Sequence, residues 1–112
     1  MSTLFVSVGQ CGNQLANSFI DYAVQNKTKQ TSFLYNHFDD KFHFINLDSE
    51  VKVINSLLTK HNRELRTENL LNTKCGRGSN WASGYTGLEK DGDSNFIKSS
   101  LEAIRQENNK LN

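Results

Sequence analysis

Residues 3–14 read as a strand, a glycine-bracketed turn and the start of a helix, and that unit constrains the fold more than any other part of the chain. Thr3 to Val8 (TLFVSV) is short, β-branched and aromatic, and Ser7 is its one polar interruption after Thr3. Such a run suits a parallel strand buried on both faces. Gly9 and Gly12 break it. Beyond them Leu15, Ala16, Phe19, Ile20, Ala23 and Val24 recur at offsets 0, 1, 4, 5, 8 and 9, which places them on one helical face.

Two weaker copies of the same order follow. Asn26 to Asp40 is polar with scattered aromatics and reads as a long surface loop. Phe42 to Leu47 (FHFINL) is a second strand. Asp48 or Ser49 is placed to cap a helix carrying Val51, Ile54, Leu57 and Leu58. Lys60 to Glu68 is charged and reads as solvated, and Asn69 to Lys74 is a weak third strand. Cys75 to Gly87 is a Gly- and Ser-rich loop. The last helix starts at Ser94, with Phe96, Ile97, Leu101 and Ile104 on its apolar face and Asp91 and Asp93 at its positive end. Strands alternating with helices imply a parallel sheet with right-handed crossovers, an α/β fold.

Composition narrows the function. The 112 residues suffice for one small domain. Thirteen basic residues against twelve acidic ones argue against a nucleic-acid or membrane-surface binder. No apolar run approaches the roughly 20 residues that cross a bilayer, and the N-terminus lacks the pattern of a cleaved leader. The expectation is a cytosolic protein with Cys11 and Cys75 as free thiols. Neither cysteine has a second ligand at zinc spacing. A mean hydropathy of −0.62 lies on the polar side for a self-sufficient core.

In an open α/β sheet, ligands bind at the carboxyl ends of the strands, and three segments lie there. Gly9, Gln10, Cys11 and Gly12 combine close backbone approach with the free N–H groups of a helix start, a candidate phosphate turn. An ordinary strand-to-helix turn also takes glycine. Asp48 and Glu50, flanking Ser49, offer carboxylates for a magnesium ion, although on local grounds alone they read first as a helix N-cap with acidic first-turn residues. Gly76, Arg77, Gly78, Ser79 and Asn80 can present N–H groups and a guanidinium to a terminal phosphate, or form a loop anchored by Trp81. Asp91 to Asn95 with Glu102 partly matches a calcium loop, but Phe96 stands where that loop needs glycine. His37, His43 and His61 are dispersed and read as surface or strand-flank residues.

Taken together, the three segments resemble the tubulin family. Gly9 to Gln14 (GQCGNQ) is similar to its first phosphate loop. Leu47 to Glu50 is similar to its hydrophobic-Asp-hydrophobic-Glu loop. Asn80 to Tyr85 (NWASGY) is similar to the run after its third nucleotide loop. Order and spacing agree along the whole chain. Val51 to Asn55 with Leu58 and Lys60 looks most like delta-tubulin, a basal-body and centriole member.

The resemblance implies a partial three-layer, Rossmann-type nucleotide-binding fold of about three parallel strands. Residues 1–112 would be the incomplete, truncated N-terminal portion of a tubulin-like GTP-binding domain. GTP and Mg2+ are the implied cofactors. Gly9, Gln10, Cys11 and Gly12 would face the phosphates, Asp48 and Glu50 the metal, and Gly76, Arg77, Gly78, Ser79 and Asn80 the terminal phosphate. Tubulin-like subunits or a microtubule assembly would be the partners, in the cytoplasm or cytoskeleton, with no nucleic acid and no membrane.

Ser49, Val51, Arg77 and Ser79 depart from the family pattern. The departures at Arg77 and Ser79 leave discrimination between GTP and GDP open. The family's Gly-Gly-Gly-Thr-Gly-Ser-Gly signature, its guanine-reading residues and its catalytic acid would lie beyond Asn112, so hydrolysis by this chain alone is not expected. Two other readings stand beside this one. The first is a non-catalytic interaction module docking through an unfinished sheet edge. The second, a Rossmann-type dinucleotide protein, is disfavoured by Gly-Gln-Cys-Gly in place of Gly-x-Gly-x-x-Gly.

Overall fold

The computed structural model describes residues 2–26, 29–72 and 94–111. Strands β1 (Phe5–Val8), β2 (Phe44–Asp48) and β3 (Leu70–Asn72) form one parallel sheet in the order β1-β2-β3. Phe5 lies opposite Phe44 and Val8 opposite Leu47, while Asn46 and Asp48 face Leu70 and Asn72 on the other side. The carboxyl ends of β1 and β2 are therefore level, so the turns that follow them emerge side by side.

Helix α1 (Gly9–Gln25) follows β1 without an intervening loop, and α2 (Val51–Lys60) follows β2 after two residues. Along β2, Phe44 meets Phe19 of α1 and Asn46 meets Asn13 of α1, whereas His43, one residue earlier, meets Glu107 of α3 (Ser94–Asn109). Alternation of side chains along a strand therefore puts α1 and α3 on opposite faces, giving three layers. The core lies chiefly on the α1–α2 side, where Ile20, Ala23, Leu34, Phe42, Phe44, Ile54, Leu57 and Leu65 are buried together. Phe5 stacks on Phe44 with centroids 5.0 Å apart. Each such side chain contributes about 1.5–3 kcal/mol when buried.

Four expectations need correction. β1 is not covered on both faces. Val6 and Val8 are 45% and 66% exposed, since α3 packs chiefly over β2 and β3. Asn26 to Asp40 is not simply a surface loop. A 3-10 segment at Lys29–Leu34 sinks Leu34 into the core, and Tyr35 then bridges Phe42 antiparallel. Lys60 to Glu68 is not uniformly solvated, since His61, Leu65 and Arg66 are buried. His61, read as a surface or strand-flank residue, is buried, and His43, which does flank β2, is buried as well.

A further departure, at α3, shows how that helix is held. Ile97 and Leu101 of its expected apolar face are exposed, and Ser100, Ala103 and Glu107 are buried instead. Glu107 Oε1 accepts hydrogen bonds from His43 Nδ1 at 2.6 Å and Arg66 Nη1 at 2.8 Å, and Oε2 accepts one from Asn69 Nδ2 at 2.9 Å. Arg66 reaches on to Asp39. With Ala103 as the one buried apolar residue of α3 among those described, this ionic cluster carries the attachment that hydrophobic area carries elsewhere.

Candidate functional site

The turn after β1 is unusually tight. Val8 is still extended, with φ −130° and ψ 133°, yet Gly9 already begins the helix. Gly9 achieves this with φ +78°, a conformation that L side chains rarely adopt. A Cβ placed there would meet nothing within 4 Å, so backbone conformation and not crowding requires glycine. At Gly12 a Cβ would come within 3.8 Å of Ser7, an ordinary contact.

Helix starts leave their first N–H groups without intrahelical partners. Here those groups belong to Gly9, Gln10 and Cys11, at the carboxyl end of β1. Gln10 and Cys11 are exposed, and the first turn carries no acidic side chain to repel an anion. The positive end of a 17-residue helix is thus presented to solvent with its donors open.

Asp48 ends β2 beside this turn. It does not cap α2 as expected. Glu50 occupies the N-cap position, without a side-chain cap bond, and Asp48 Oδ1 accepts the Glu50 N–H at 3.2 Å. A carboxylate that folds back on the residue two positions ahead competes with capping, which accounts for the difference. Asp48 is 7% exposed, and its second oxygen, Oδ2, is buried without a donor. A buried carboxylate oxygen in that state is costly and calls for a cation or water. Glu50 is exposed beside it.

Two carboxylates do not make a closed cage, and the described residues hold no group of three or more His, Cys, Asp or Glu side chains at metal spacing. Magnesium is suited to such an open arrangement. It takes one or two carboxylates, keeps waters and fills its remaining positions with phosphate oxygens.

One side chain joins the two turns. Asn13, fully buried, donates from Nδ2 to the Gly9 carbonyl and to the Leu47 carbonyl, both at 2.8 Å. Its Oδ1 accepts from Ser7 Oγ at 2.6 Å and from Asn46 Nδ2 at 3.1 Å. Asn46 also donates to Ser7 Oγ at 2.7 Å. Sequence reasoning missed this triangle. Its only local trace is a lone polar residue near the end of each of two apolar strands, and Ser7 and Asn46 turn out to be direct partners across β1 and β2.

Gly76, Arg77, Gly78, Ser79 and Asn80 lie outside the described residues, as do Cys75, Trp81, Tyr85 and the start of the partial calcium loop at Asp91. The structure thus brings Gly9–Gly12 and Asp48–Glu50 together.

A polar hollow at the amino ends of the strands is a poorer candidate. Asp39, Lys41, Arg66, Glu68 and Lys110 line it. Its cations are already engaged: Arg66 with Glu107 and Asp39, Lys41 with the Arg63 carbonyl at 3.1 Å, and Lys110 with Glu68 at 3.9 Å. No described helix is long and apolar enough to cross a membrane. Compared with known families, residues 2–111 match the model of the Tubulin/FtsZ family, GTPase domain, a stretch that takes in every described element.

Proposed function

Because the chain belongs to the tubulin/FtsZ family of GTP-binding proteins, we propose that the first turn of α1 seats the nucleotide phosphates and that Asp48 and Glu50 hold their magnesium ion. The observation that carries this reading is the orphaned Asp48 Oδ2, buried beside an open set of helix-start donors. The turn supplies N–H groups and a positive dipole to the anion. Asp48 and Glu50 would hold the ion, and bound magnesium would neutralise phosphate charge. In this reading Gly9, Gln10, Cys11 and Gly12 serve the phosphates, and Gly76, Arg77, Gly78, Ser79 and Asn80 are assigned to the terminal one.

Residues 1–112 then form the opening portion of a GTP-binding domain that works in a cytoskeletal assembly of tubulin-like subunits in the cytoplasm. The finer reading is a delta-tubulin-like role at basal bodies or centrioles, motivated by Val51 to Asn55 with Leu58 and Lys60. Co-localisation of a tagged protein with a basal-body marker checks that role, and a diffuse or spindle-only distribution contradicts it.

Binding itself is tested by titrating GTP with and without magnesium. The reading expects magnesium to strengthen binding and Asp48→Asn to abolish most of that gain. Nucleotide binding indifferent to both would overturn it.

A second reading is favoured by the exposed strip along β1. Val6, Val8, Leu15 and Phe19 leave apolar surface beside an edge strand, a template for pairing. A module that docks there without nucleotide would show partner binding unaffected by Asp48→Asn.

A further inference from the structure

We propose that Ser7 and Asn46 are positioning residues that orient the Asn13 amide and thereby couple the phosphate turn to the metal carboxylate. This inference rests on the site reading above.

A primary amide has two donors on nitrogen and two acceptor sites on oxygen. Asn13 uses all four. Nδ2 serves the carbonyls of Gly9 and Leu47, and Oδ1 receives Ser7 Oγ and Asn46 Nδ2. Turned over, the amide would set its oxygen against two carbonyl oxygens and its nitrogen against the Asn46 nitrogen. Only one orientation is tolerable: the two carbonyls fix the nitrogen side, and Asn46 Nδ2 with the Ser7 hydroxyl fixes the oxygen side.

The two carbonyls it grips are informative. Gly9 opens the phosphate turn, and Leu47 immediately precedes Asp48. A single buried side chain therefore sets the separation of the helix-start donors from the carboxylate. Movement of either turn is transmitted to the other through Asn13, because no water-exposed slack lies between them: Asn13 and Asn46 are both fully buried.

Stability alone does not account for the choice of residues. Asn46 Oδ1 is buried without a donor, so Asn46 is retained for its two N–H groups at the expense of its acceptor. An apolar pair at these facing positions would avoid that cost. The triangle is thus matched to orientation more than to cohesion.

The test measures GTP affinity with and without magnesium in the full-length protein, together with the melting temperature. Asn46→Leu removes the N–H donors and the orphaned acceptor while keeping the same branched heavy-atom skeleton. Ser7→Ala is the second variant, should the first not fold. Either is expected to melt within a few degrees of wild type while the magnesium-induced gain in GTP affinity falls about tenfold, equivalent to about 1.4 kcal/mol of lost coupling. Ser7→Thr, which restores a hydroxyl, is expected to recover the gain. An unchanged magnesium gain in Asn46→Leu and Ser7→Ala would overturn the proposal, as would a Ser7→Thr variant that stays uncoupled. If wild-type protein itself gains nothing from magnesium, the site reading falls first and this inference with it.

Discussion

His43 Nδ1 lies 2.6 Å from Glu107 Oε1, and neither side chain meets solvent. The contact ties the strand that ends at the candidate site to a helix on the other face of the sheet. Glu107 also accepts from Arg66 and Asn69, so its removal would leave the buried Arg66 guanidinium with the half-exposed Asp39 as its only carboxylate partner among the described residues. Losing one partner of a buried charge pair typically costs about 3–5 kcal/mol. Glu107→Ala is therefore expected to lower the urea midpoint sharply and to expose α3 amides to hydrogen exchange, with smaller effects in α1. Near-wild-type stability would show that α3 is held by something other than this cluster.

His61 supplies the pH dependence. It is buried against α1, with Nε2 3.0 Å from Asn17 Oδ1 and 3.1 Å from Asp21 Oδ1. Burial pushes its pKa below the ordinary 6.5, and the Asp21 charge only partly opposes this. The unfolded chain thus takes up a proton at a higher pH than the folded one, so stability falls as pH drops through the region below 6.5. His61→Gln is expected to flatten part of the loss between pH 7.5 and 5.5 in urea titrations. An identical slope in the variant would exclude His61 as its source.

Cys11 is an exposed thiol in the first turn of α1. If phosphates sit on that turn, saturating GTP with magnesium slows alkylation of Cys11 at least several-fold. Equal labelling rates with and without nucleotide would place the phosphates elsewhere.

The candidate groups in the described turns, helix-start amides and two carboxylates, are suited to phosphate and metal and not to a base. For residues 1–112 alone, GTP and ATP are expected to bind weakly and within about tenfold of each other, a difference of about 1.4 kcal/mol. Calorimetry showing submicromolar GTP affinity with rejection of ATP would mean that these residues already recognise guanine.

The parallel α/β plan was legible because its signals are local. Gly9 interrupts a β-branched run just before helical spacing begins, and three strand–helix alternations leave little choice of topology. Features that depend on distant partners were not legible. The periodicity of α3 pointed to Ile97 and Leu101, but Arg66, His43 and Asn69 arrive from other elements and draw Glu107 inward instead. Leu34 sits in a polar stretch whose burial depends on the Tyr35–Phe42 bridge. Ser7 and Asn46 each look like an accident in an apolar strand until pairing sets them face to face. At the site, the turn at Gly9–Gly12 and the carboxylate at Asp48 were found from glycine and charge alone. Asn13, which joins them, lies in the GQCGNQ stretch but drew no role of its own, because its partners Ser7, Asn46 and the Leu47 carbonyl come from the strands.

Among the described residues nothing pairs with the outer edge of β1, and that edge has a direction as well as a surface. Its carboxyl end opens onto Gly9, so the polarity of whatever pairs with Phe5–Val8 matters chemically. A parallel newcomer would finish at the same level and deliver its own following loop beside the helix-start amides. An antiparallel one would begin there and deliver only the approach to its first residue. Strand orientation at this edge would therefore decide whether one backbone turn or two stand beside the amino end of α1.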